Sequence, residues 1–141
     1  MKKTINFILA LFIVSVTQKI TAQKIELKNN TVVMEDKPIF SFDKKAMNNE
    51  FHLFKLNSKE EVLILQHQHV GADTGAKDDF KKIIFPSQNI TIESRVLQKK
   101  NWKFLVQLLL DEKVIDTDGN IDVRNLERFS GKYNEKITLK K

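Results

Sequence analysis

Two histidines separated by one residue, in Leu63-Ile-Leu-Gln-His-Gln-His-Val70, are the densest concentration of metal-ligating chemistry in the chain. His67 and His69 make up two of its three histidines, and there is no cysteine to compete as a ligand. On a β-strand, side chains two apart point to one face with Cβ atoms about 6 to 7 Å apart, close enough for both imidazoles to reach one ion. A third ligand comes from folding the turn over residues 57–60. If Leu56 pairs with Glu61, His52 falls opposite Leu65 and diagonal to His67. The expected set is therefore His52, His67 and His69, with zinc or copper as the ion. The competing reading is that the histidines mark where a core face meets solvent, because Phe54, Leu63 and Leu65 share that face. A one-residue change in register would send His52 to the other side. No carboxylate clearly backs the imidazoles: Asp73 and Asp79 are available but lie in the loop 71–79.

Other motifs carry less. Asp116-Thr-Asp-Gly-Asn-Ile-Asp122 has the middle of a calcium loop, with Asp116, Asp118 and Asn120 at alternate positions around Gly119. Its ends are wrong, since Val114 stands where the first carboxylate belongs and Asn125 where a bidentate Glu should close the site. A helix-to-helix turn accounts for the same residues. The glycines in 71–79 make no phosphate cradle, so this stretch reads as a surface loop. No nucleophile stands in a catalytic pattern, and the expectation is a non-enzymatic protein. Asn29 and Asn89 begin glycosylation sequons.

The elements that position these residues follow a basic start, Met1-Lys2-Lys3, and an apolar run over residues 5–16 that is too short for a stable membrane span. This is the pattern of a signal peptide, with cleavage expected between Ala22 and Gln23. The expected mature chain is one domain, residues 23–141, exported to the periplasm or beyond. The signal takes with it Lys2, Lys3 and Lys19, so the formal charge falls from +6 to +3. The charges that remain are of mixed sign, which argues against a nucleic-acid partner.

Short apolar stretches then alternate with turn-forming residues: 25–27, 31–34, 37–42, 50–56, 62–70, 80–85 and 89–92. From about residue 95 the period changes to that of a helix, with Leu97, Phe104, Leu105, Leu108 and Leu109 on one side. Asp122 can cap a second helix carrying Val123, Leu126, Phe129 and Tyr133, which Gly131 would cut short. The Lys-rich end, residues 136–141, reads as a solvated tail. Strands followed by helices predict an α+β fold, an antiparallel sheet or partly closed sandwich of about seven short strands covered by two C-terminal helices.

The signal ending in TAQ, the strands beginning KNNTVVMEDKPIFSF and the segment LVQLLLDEKVIDTDGNIDVRNLERFSGKY together resemble small exported proteins of unknown function found in Bacteroidetes-type bacteria. That resemblance implies a Gram-negative envelope, where the sequons would go unused. The expected function is an exported protein that binds a partner or ligand, with a periplasmic metal-binding protein as the alternative.

Overall fold

A computed structural model describes residues 23–71 and 75–140. The expected signal peptide, Asp73 and Lys141 lie outside the described residues. Seven strands run β1 Ile25–Lys28, β2 Thr31–Met34, β3 Lys37–Lys45, β4 Glu50–Lys55, β5 Glu61–Gln68, β6 Phe80–Phe85 and β7 Ile90–Ser94. They form one antiparallel sheet in which every strand pairs with its neighbour in sequence. Helices α1 Trp102–Asp111 and α2 Val123–Tyr133 follow, giving the α+β architecture that strand-then-helix segregation predicts.

Turn chemistry sets this meander. Asn29-Asn30 and Glu35-Asp36 all adopt positive φ between paired residues, the two-residue geometry whose twist matches antiparallel strands. Asn tolerates this conformation better than most residues, which makes the first turn readable from sequence.

The β4–β5 register differs from the one expected. Phe51 pairs with Leu65, His52 with Ile64 and Leu53 with Leu63, with an irregularity between Leu53 and Phe54. The shift has a hydrophobic cause. It places Phe51 and Leu53, both fully buried, on the core face, where the expected register would have put His52 and Phe54. Fully burying a Phe or Leu contributes about 1.5 to 3 kcal/mol, far more than burying an imidazole that needs partners. Val62 absorbs the extra residue and is itself buried.

The first helix starts at Trp102, not near residue 95. Asn101 caps it, its side chain accepting the Phe104 N–H at 2.8 Å. Before it, residues 95–100 form turns that still bury Leu97. Trp102, Leu105, Val106 and Leu109 face the core, while Phe104 is 41% exposed with the Lys100 ammonium over its ring. Helix α1 packs near β1, where Gln107 accepts the Ile25 N–H at 2.8 Å and donates to the Gln23 carbonyl at 3.0 Å.

Asp122 caps α2 as expected, accepting from the Asn125 N–H at 2.9 Å. The helix runs through Gly131 to Tyr133, burying Leu126 and Phe129 but leaving Val123 exposed. The chain end is more than a tail. Asn134 and Glu135 bond to the backbone of Glu93 on edge strand β7, and Thr138 donates to the buried Glu93 carboxylate at 2.9 Å. Covering an edge strand in this way removes its exposed pairing groups. No helix among the described residues is long and apolar enough to cross a membrane.

Candidate metal centre

The β5–β6 ladder builds the site. His67 pairs with Lys81 and Gln68 with Phe80, and one further step along this register sets His69 against Asp79. Because faces alternate along a strand, His67, His69, Asp79 and Lys81 share the core face at its solvent margin.

Asp79 is the centre of the cluster and is 4% exposed. Its Oδ2 lies 3.1 Å from His67 Nε2 and 3.0 Å from His69 Nδ1, while Oδ1 accepts the Val70 N–H at 3.0 Å. The backbone hydrogen bond from Val70 outweighs burial and, with the two imidazoles, holds the carboxyl below its ordinary range. The imidazole rings meet edge to face, centroids 4.5 Å apart.

One ligand atom from each of His67, His69 and Asp79 lies within 4.8 Å of the others, the one such group among the described residues. In a tetrahedral site with bonds near 2.0 to 2.1 Å, ligand atoms sit about 3.3 Å apart. The two imidazole–carboxylate separations are within a few tenths of an ångström of that value. The Asp79 hydrogen bond to Val70 and the His69 Nε2 contact with Asn49 Oδ1, 3.4 Å, supply the outer partners that orient ligands. Asn49 also fixes the strand end, its carbonyl accepting the His67 N–H at 2.8 Å.

Lys81 is the feature that sequence reasoning missed. Its Nζ lies 2.8 Å from His67 Nδ1 and 2.6 Å from the Gln98 carbonyl, with the ring of Trp102 at 5.1 Å. Burial pushes the Lys81 ammonium down in pKa, against the Asp79 charge that supports it. Burial also lowers His67, opposed by its bond to Asp79 and assisted by the Lys81 and His69 charges. The contacts therefore assign a neutral His67 whose Nδ1 accepts from Lys81 and whose Nε2–H donates to Asp79. For Nε2 to hold a metal, that proton must move to Nδ1, where Lys81 already donates. Antiparallel pairing of His67-Gln-His69 with Asp79-Phe-Lys81 is the sequence signal that contains all four residues.

His52 is not part of this cluster. The shifted register places it on the opposite face, which corrects the expectation that all three histidines share one side. There its Nδ1 lies 2.9 Å from Glu61 Oε2 and its Nε2 3.0 Å from Glu50 Oε2. The carboxylates sit at opposite ends of the ring, so they cannot converge with it on one ion. They suit an imidazolium that donates at both nitrogens. Burial lowers the His52 pKa, but the two carboxylates together outweigh it and leave it raised.

The loop 116–122 is a turn held by one side chain. Asp116 Oδ1 accepts the Asp118 and Asn120 N–H groups, each at 2.9 Å, and Oδ2 accepts Asn120 Nδ2 at 3.1 Å. Burial raises the Asp116 carboxyl, and these hydrogen bonds overcome it to leave the pKa lowered. Its oxygens are committed to the loop itself.

No protein-family model, curated protein or solved structure matches this chain.

Proposed function

We propose that this chain is an exported, non-enzymatic binding protein whose ligand is a divalent transition-metal ion, zinc or copper, held by His67 Nε2, His69 Nδ1 and Asp79 Oδ2. The single observation that carries this reading is the convergence of two imidazole nitrogens on one carboxylate oxygen at 3.1 and 3.0 Å. Imidazole and carboxylate ligands suit zinc and copper(II), and a chain without cysteine has no thiolate to offer instead. Export is part of the proposal and is supported by the basic start and apolar run of residues 1–16.

Thermal unfolding with and without zinc tests it. An ion that binds only the folded state, at about 100 times its dissociation constant, adds about 2.7 kcal/mol. For a domain of this size that is a rise in Tm on the order of 10 °C. His67→Ala and His69→Ala should each abolish the rise, while His52→Ala should keep it. A rise that survives both of the first two substitutions, or no rise in the unaltered chain, rejects the reading.

A further inference from the structure

The protein supplies three ligand atoms, and they are unevenly placed. Asp79 is buried, the His67 side chain is 18% exposed, and the His69 side chain is 63% exposed. An ion at their meeting point is therefore walled by protein on the Asp79 side and faces solvent on the His69 side. Among the described residues no further His, Cys, Asp or Glu joins the group. Among the described residues, two other polar side chains touch the histidines: the Asn49 amide on His69 and Lys81 on the far side of His67. Neither is an anion.

The charge count is equally one-sided. A divalent ion with two neutral imidazoles and one carboxylate keeps a net charge of +1, and zinc completes four positions. Three protein ligands with a vacant fourth position are the arrangement that separates ligand-accepting zinc sites from closed structural ones.

Resting on the metal reading above, we infer that the centre keeps one coordination position open to solvent beside His69, and that this position takes a small anion, such as a carboxylate, bound directly to the ion. A carboxylate there would bring the centre to neutrality, an advantage a neutral donor does not share. The protein would then recognise a metal and an anionic ligand together, with the exposed edge at His69 as the route of entry.

Cobalt(II) is the probe, because its visible bands report both occupancy and coordination. The full chain is loaded with one equivalent of cobalt(II) and titrated with sodium azide, then with sodium acetate. Four-coordinate bands should appear on loading and be missing in His67→Ala/His69→Ala. Azide should then change those bands saturably with one site per chain, and acetate should compete for the same change. Bands that appear but do not respond to azide overturn this inference alone, because the fourth position is then filled by the protein. If cobalt produces no bands, the metal reading fails and this inference falls with it.

Discussion

Replacing Lys81 with methionine should strengthen metal binding, although the lysine touches a proposed ligand. Methionine keeps much of the stem that lies against Trp102 and removes the ammonium. Lys81 Nζ lies 2.8 Å from His67 Nδ1. Adding the width of the ring, about 2.2 Å, and a metal–nitrogen bond of about 2 Å sets the ammonium roughly 6 to 7 Å from an ion on Nε2. Against the net +1 of a divalent ion with Asp79, and at an effective dielectric of about 20, the repulsion is about 2.5 kcal/mol. The unaltered protein can avoid part of this by releasing the Lys81 proton, which burial already favours, but that release has its own cost at neutral pH. The expected gain for Lys81→Met is thus roughly 10- to 100-fold in zinc affinity. The assay is competition against a chromogenic chelator at pH 7.5 and low salt, with the unaltered chain measured in parallel. Equal or weaker zinc binding by Lys81→Met would refute the electrostatic reasoning, and with it the assignment of Nε2 as the ligand atom.

Three further predictions concern the scaffold. Phe51 is fully buried, stacked on Phe42 at 4.7 Å and tilted against Trp102 at 6.2 Å. Phe51→Ala should cost about 3 to 5 kcal/mol in urea unfolding, and a cost below 1 kcal/mol would contradict the observed β4–β5 register. His52 binds its proton more tightly folded than unfolded, so its contribution is fully present below its ordinary pKa near 6.5 and is lost as pH rises through the raised folded value. Facing it are Glu50 and Glu61, with Lys45 opposing and Asp43 across the β3–β4 pair. The stability difference between the unaltered chain and His52→Gln should therefore shrink between pH 6 and 8; a difference that is flat or grows with pH would exclude the imidazolium bridge. Gly119 has φ of +83°, and a Cβ there would come within 2.9 Å of Lys55 Cγ and 3.1 Å of a Val62 methyl. Gly119→Ala should destabilise by about 1 to 2 kcal/mol, read as a lowered urea midpoint; an unchanged midpoint would show that the turn relaxes freely.

The strands were legible because local chemistry decides them. Alternating apolar residues and Asn-rich turns specify a meander one hairpin at a time, and all seven strands form where those signals stand. Helix α1 starts later than the apolar period suggests, because Leu97 has helical spacing from the later leucines yet is buried from a turn, while Asn101 provides the actual cap. Register was the hardest feature. A turn-based count cannot foresee the irregularity at Val62, which moves His52 to the other face while letting Phe51 and Leu53 reach the core. For the site, the His67/His69 pair is visible by its spacing alone. Asp79 could be named only as a nearby carboxylate, and Lys81 only as one charge among several, because both acquire their roles from the β5–β6 pairing across the loop 71–79.

The most direct test of the metal reading is side-chain nitrogen NMR of the three histidines before and after one equivalent of zinc. Zinc should change the protonation pattern so that His67 is bound through Nε2 and His69 through Nδ1, while His52, held between Glu50 and Glu61, gives the same signals with and without zinc. Spectra in which His67 and His69 are unchanged by zinc, or in which His52 alone responds, would contradict the account.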